Sequence, residues 1–268
     1  MYTNNKSLVD EALIYEPIKN TFLLGWEWIT VNKAFTATAL GIYILFNLLG
    51  VSFLATIFTI MIQIYIGKIF YGSIGITEFV ESIKTSTREK LVKDSFFPAF
   101  GAYLGWTLLM FIIAVLLLLL VLNQQDISAL ELSNLQTPEA IEANIDILKP
   151  ILFSLAMPSF VLMLIVLYIK PLVEANIIMS QTFKEGFSAV FTIFSFELWK
   201  KAMRSDYFTY VLKLNLILIV LSLPLGLLVT LMGLNILTYI VVFVFLYVIN
   251  IIMAIGSMML RRMIEQEG

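Results

Sequence analysis

Long apolar runs without a charged residue alternate with short polar segments along this chain. There are four: Ala34 to Gly67, Phe96 to Leu122, Ile151 to Ile169 and Leu214 to Leu260. A helix needs about 20 apolar residues to cross roughly 30 Å of hydrocarbon. The last run holds 47 residues and as one helix would measure roughly 70 Å, so it predicts a hairpin. Its turn is expected at Met232-Gly233-Leu234-Asn235, where Gly and Asn tolerate the dihedrals of a helix end, with Pro224 kinking the first arm.

The first run, 34 residues, is too long for one helix and short for two, and charge decides it. The segment Asn123 to Pro150 carries Asp126, Glu131, Glu139, Glu142 and Asp146 against one base, Lys149; sixteen of the seventeen basic residues lie elsewhere. The positive-inside rule puts that acidic loop on the outer face. The N-terminus and the segment from Lys68 to Lys93 then share the inner face, an even number of spans separates them, and the first run is also a hairpin. Asn47-Leu48-Leu49-Gly50 is its expected turn, with the second arm continuing through Lys68 to about Ile76. A five-span alternative keeps one tilted first helix and an outside N-terminus.

The expected fold class is therefore an all-α integral membrane protein of six transmembrane helices, two hairpins plus two central spans, with amphipathic interfacial helices on the cytoplasmic side. It is one membrane domain over 1–268: cytoplasmic 1–33, hairpin 34–76, cytoplasmic 77–95, span 96–122, outer loop 123–150, span 151–170, cytoplasmic 171–213, hairpin 214–260 and a cytoplasmic tail 261–268. The polar start, Met1 to Glu16, lacks the pattern of a cleaved signal, so the first span is expected to direct insertion.

Three amphipathic helices are expected outside the spans. In the first, Leu8, Ala12, Tyr15, Phe22, Trp26 and Ile29 recur at helical spacing around Pro17. In the second, Thr182-Phe183-Lys184-Glu185 is a capping box opening a helix with Phe183, Phe187, Val190, Phe191, Phe194 and Leu198 on one face. Both are expected to lie in the membrane interface, to pack on the spans, or to do both. The third starts at Thr137-Pro138-Glu139 in the outer loop, carries Ile141, Ile145 and Leu148, and ends at Lys149-Pro150. Each half of the chain also has an acid, a Trp and a Lys ahead of a hairpin turning at Gly: Glu27, Trp28, Lys33 and Gly50, then Glu197, Trp199, Lys200 and Gly233. An internal duplication and the shared composition of apolar segments both account for this, and transporter folds use such repeats.

Composition narrows the chemistry. The chain is 60% hydrophobic and 13% charged, far from a soluble domain. With 17 basic and 19 acidic residues there is no surplus to hold a nucleic acid. It has no His and no Cys, which removes thiolate and imidazole metal sites, Cys or His nucleophiles and Ser-His pairs. No cofactor and no enzymatic activity are expected. The expected partners are the lipid bilayer and a membrane-protein partner or a second copy of the chain.

Ionisable residues are expected to be absent from the span interiors, which disfavours proton-coupled transport. The polar residues there are Asn47, Gln63, Asn215 and Asn250 with Thr38, Ser52, Thr56, Thr59, Ser222 and Ser257. Interhelical hydrogen bonding accounts for them, and Gln63, Asn215 and Asn250 are the candidates for lining a cavity. At the end of the fourth span, Lys170 and Glu174 stand one helical turn apart around Pro171, and Lys68 arrives at similar depth. Lys68, Lys170 and Glu174 are the candidate binding cluster, for a lipid phosphate or a partner's charge; interfacial anchoring by snorkelling lysines is the plainer reading. The five leucines Leu116 to Leu120 are expected to face lipid.

The order of a first hairpin, a basic segment Ser82 to Lys93, Pro171-Leu172-Val173-Glu174, Lys184-Glu185-Gly186-Phe187 and Phe196 to Lys201 before a last hairpin resembles a family. It is that of uncharacterised bacterial inner-membrane proteins related to the membrane domain fused to some glycerophosphodiester phosphodiesterases. The resemblance implies a multi-pass bacterial inner-membrane location, and no phosphodiesterase activity, which belongs to a separate soluble domain. Two functions stand: a non-enzymatic accessory, organising or lipid-interacting protein, or a transporter of a neutral or lipid-like solute.

Overall fold

A computed structural model of the chain describes residues 15–124, 145–233 and 235–266. Among these the regular elements are all helical. They are α1 (Pro17–Val31), α2 (Lys33–Leu48), α3 (Ser52–Gly72), α4 (Ile76–Lys84), α5 (Arg88–Gln124), α6 (Ile145–Met179), α7 (Phe183–Val190), a 3-10 turn (Phe191–Phe194), α8 (Phe196–Ala202), α9 (Ser205–Met232) and α10 (Ile236–Gln266). Five helices, α3, α5, α6, α9 and α10, are long and apolar enough to cross a membrane, and the pair α1 and α2, bent by 96°, raises this to six if counted as one span. The chain is thus a polytopic helical membrane protein. Leu8, Ala12, the acids Asp126, Glu131, Glu139 and Glu142, and the expected helix start at Thr137 lie outside the described residues.

Both expected hairpin turns are present. The first run is not one tilted helix: it breaks between α2 and α3 at Gly50, whose φ of 70° is a left-handed value that glycine adopts without strain. Gly233 breaks the last run in the same way, at φ 69°. Asn235 then caps α10, its Oδ1 accepting from the Thr238 N–H at 2.9 Å. Boundaries shift elsewhere. α3 stops at Gly72, short of Ile76, which begins a separate helix. The outer helix does not end at Lys149-Pro150, because α6 runs unbroken from Ile145 to Met179 through both Pro150 and Pro171. A proline removes one backbone donor, and membrane helices tolerate that loss where the rest of the ladder holds.

The contacts divide the chain into two units, Met1–Trp106 with Ile169–Gly268, and Thr107–Tyr168. In the first, α10 is the hub, packing against α3, α1, α9 and α2. α3 is the most enclosed span, 67% of its apolar window being buried, against 11% for α9. Trp28, fully buried, meets Phe35 and Tyr65 edge-on with ring centres 5.7 and 6.1 Å away, locking α1, α2 and α3 together. In the second unit the parts of α5 and α6 carry exposed apolar side chains, among them Leu116, Leu118 and Leu119, as a lipid-facing surface requires.

The first amphipathic stripe faces outward instead of onto the other helices. α1 buries Thr21, Leu24, Gly25 and Trp28, whereas Trp26 is 64% exposed and Tyr15 88%. The reason is close approach: Gly25 lets α1 seat on Ile251 and Ile252 of α10, and a Cβ there would meet Ile252 at 3.3 Å. The aromatic face is left outward, and it is apolar enough to face lipid. The expected single helix from Thr182 to Leu198 is instead broken. It ends at Val190 and passes through the 3-10 turn to an extended Ser195, so Val190 and Leu198 are buried while Phe194 and Phe196 project outward.

Candidate functional site

The basic ends of α3, α6 and α10 meet in the first unit. Pro98 in α5 cannot donate to the Asp94 carbonyl one turn earlier. The Lys68 ammonium donates to that carbonyl instead, at 3.1 Å. Lys68 also faces the Asp94 and Glu185 carboxylates. Glu185 is held by the cap of α7: its Oε2 accepts from the Gln181 N–H at 2.8 Å, and Thr182 Oγ1 accepts from the Glu185 N–H at 3.2 Å. The Gln181 N–H lowers the Glu185 carboxyl below its ordinary pKa; the Thr182 hydroxyl, the Thr182 N–H and the Lys68 charge act the same way, against a smaller opposing effect of desolvation.

Glu174 is buried on α6. Its Oε1 pairs with the Lys170 ammonium at 3.3 Å, and its Oε2 accepts from Ser257 Oγ of α10 at 3.0 Å. The structure therefore joins Lys170 to Glu174 as their spacing predicts, and gives Lys68 other partners on α5. All three lie within helices that qualify as spans, so the expectation of spans empty of charge holds only away from their basic ends.

Further polar contacts tie the same ends. Asn176 Nδ2 donates to Thr192 Oγ1 at 3.1 Å, and the Tyr71 hydroxyl donates to Glu265 Oε2 at 3.0 Å. The Glu265 carboxylate also accepts from Arg261 Nε at 2.7 Å. Arg262 is buried, and its terminal nitrogen donates to the carbonyls of Phe70, Tyr71 and Ser73 at 2.9, 3.0 and 2.6 Å, with the guanidinium 4.6 Å from the Phe70 ring centre. It closes the end of α3, where helix carbonyls lack partners and the macrodipole favours a cation.

Of the residues proposed to line a cavity, Gln63 and Asn250 turn to each other: Gln63 Nε2 donates to Asn250 Oδ1 at 3.2 Å across α3 and α10. Asn250 Nδ2 donates to its own helix at the Leu246 carbonyl. Asn215 is half-buried on α9 and joins neither. The shallower Asn47, Ser52, Thr56 and Thr59 share a niche of about 190 Å³ with Tyr43, but Asn47, Thr56 and Thr59 donate to backbone carbonyls one turn away.

Four positions went unread in the sequence, Asn32, Arg262, Gly101 and Gly186. Asn32 joins α1 to α2: its Oδ1 accepts from the Phe35 N–H at 3.1 Å, and its Nδ2 donates to the carbonyls of Ile83 in the last turn of α4 and Ser86 just past it. Nothing local announces those distant acceptors. Arg262 is likewise invisible as a cap. For Gly101 a signal existed: Gly101-Ala-Tyr-Leu-Gly105 is a GxxxG pattern, and α7 seats on it so closely that a Cβ at Gly101 would lie 2.1 Å from the Phe183 carbonyl oxygen. Among the described residues no cluster of acids suits a metal ion. No family model, curated protein or solved structure matches the chain.

Proposed function

We propose that the chain is a six-span, non-enzymatic protein of a bacterial inner membrane that organises or assists a membrane partner or a second copy of itself. The spans are α2, α3, α5, α6, α9 and α10, and both termini are cytoplasmic, because the basic segments alternate with one acidic loop. α1, α4, α7 and α8 form a cytoplasmic layer in the interface, for which the exposed Trp26 and Phe196 are suited anchors. The matched glycine turns of the two hairpins support an internal duplication with both hairpins in the same orientation. The reading keeps the likeness to membrane domains fused to glycerophosphodiester phosphodiesterases, without catalysis.

One observation carries the choice of organiser over transporter. Gln63 and Asn250, the deepest polar residues of their spans, satisfy each other across α3 and α10 instead of facing a path. Three charges of the basic end serve in the same manner: Lys68, Glu174 and Arg262 each link one helix to another. Such a set holds helices in register and offers a rigid surface to a partner.

The test uses the purified full chain in vesicles alongside a deletion strain. Flux of neutral solutes should equal that of empty vesicles, while the strain alters the recovery or assembly of another membrane protein. A pure preparation that moves a solute, with the flux lost in Gln63→Leu, overturns the reading in favour of the transporter.

A further inference from the structure

We propose that a groove at the basic end of the first unit binds one diacyl glycerophospholipid. The groove, of about 880 Å³, lies between the start of α1, the first turns of α9 and Met263 of α10. Its α9 wall is one helical face, Asp206, Thr209, Lys213, Leu216 and Ile217, at three- and four-residue spacing. From Asp206 to Ile217 this wall rises roughly 16 Å and passes from charged to apolar. Lys213 is the last charge before the uncharged run that starts at Leu214. That puts its ammonium at the level where lipid phosphates lie, above an apolar floor of Leu216 and Ile217, with Met263 of α10 at the opposite, charged end of the groove. The floor continues along exposed Val220, Leu223 and Leu227, a track for an acyl chain.

Charge selects the headgroup. The groove's acids are already matched, Glu16 by Lys19 at 2.5 Å and Asp206 by Arg204 at 3.2 Å. Lys213 is exposed, and among the described residues no hydrogen bond or ion pair engages it. With Glu16 paired to Lys19 and Asp206 to Arg204, Lys213 is the charge of the lining left to match, the complement of a phosphodiester monoanion. Hydroxyls of Ser205 and Thr209 on the same wall supply donors for its oxygens. A soluble phosphate would leave the apolar floor unused, and an uncharged diglyceride would leave Lys213 unmatched. The proposal goes beyond the organising role and does not depend on it, since it requires only that α9 enter a bilayer at Lys213.

The test is native mass spectrometry of the full chain in mild detergent, titrated separately with phosphatidylglycerol, diacylglycerol and glycerol 3-phosphate. One phosphatidylglycerol should bind, with the other two weaker by about tenfold or more, as loss of the phosphate contact or of the chain contact requires. Lys213→Glu and Ile217→Trp should each weaken phosphatidylglycerol by about tenfold, Lys213→Arg should retain it, and Lys84→Glu on α4 should leave it unchanged. Thermal midpoints equal to the parent's show that the variants fold. Equal binding by Lys213→Glu overturns the proposal, as does diacylglycerol binding as well as phosphatidylglycerol. So does a photo-crosslink from position 209 that captures residues 1–14 of the chain instead of lipid.

Discussion

Arg262 illustrates how one side chain serves several constraints. A guanidinium has donors in a fixed fork and no acceptor, so burial demands several carbonyls, and the end of α3 has them in excess. It donates to three of them while lying over Phe70. Arg262→Gln should lower stability by about 2 kcal/mol, read as a fall in the thermal midpoint, because charge-assisted bonds are lost and carbonyls stay buried. Arg262→Lys should recover only part of it, since an ammonium lacks the planar cation that lies over Phe70. Gln63 and Asn250 make a second test. A double-mutant cycle with Gln63→Leu and Asn250→Leu should give a coupling of about 0.6 to 1.7 kcal/mol, the range of interhelical hydrogen bonds in membranes. A coupling of zero by unfolding in mixed detergent would separate the two residues.

At the scale of elements, α7 docks on α5 through absent side chains. Cβ atoms at Gly101 and Gly186 would each lie 2.1 Å from a carbonyl oxygen of the other helix. Gly101→Ala and Gly186→Ala should therefore each push α7 off α5, seen as faster hydrogen exchange across Phe183–Val190, while Gly41→Ala, which meets nothing within 4 Å, should leave exchange unchanged. The cap of α7 carries a pH dependence. Its carboxyl, Glu185, has a lowered pKa, so the folded cap favours the ionised form. Such a group contributes stability above the unfolded carboxyl's pKa and loses it as pH falls through the lower folded value. Protection of the amides of Gln181 and Glu185, taken relative to their intrinsic exchange rates at each pH, should thus be steady near neutrality and fall in the acid range, and Glu185→Gln should remove the dependence.

The whole molecule is testable because the chain has no cysteine. Single cysteines at Lys84 and Lys184, both exposed, should resist an impermeant thiol reagent in intact cells and react once the membrane is opened. A cysteine at Leu135, outside the described residues, should react in intact cells. Labelling of Lys84 or Lys184 before opening would invert the topology, and unequal labelling of the two would break the six-span count.

Where apolar runs and charges alone carry information, the sequence determined the outcome. The places of the helices long enough to span follow from the apolar runs, and the breaks in the first and last runs fall at Gly50 and Gly233 as expected, because hydrocarbon thickness is a length standard that the chain cannot evade. The i, i+4 spacing of Lys170 and Glu174 likewise forecast their pairing. Only the tertiary structure decided which face of α1 turns inward, which acceptor Lys68 takes, and that Gln63 meets Asn250. On α1 large apolar residues stand on both sides, Leu24 and Trp28 inward and Leu23 and Trp26 outward, so periodicity alone cannot rank its faces. Close backbone approach at Gly25 and a carbonyl freed by Pro98 did so, and such contacts join residues far apart in sequence.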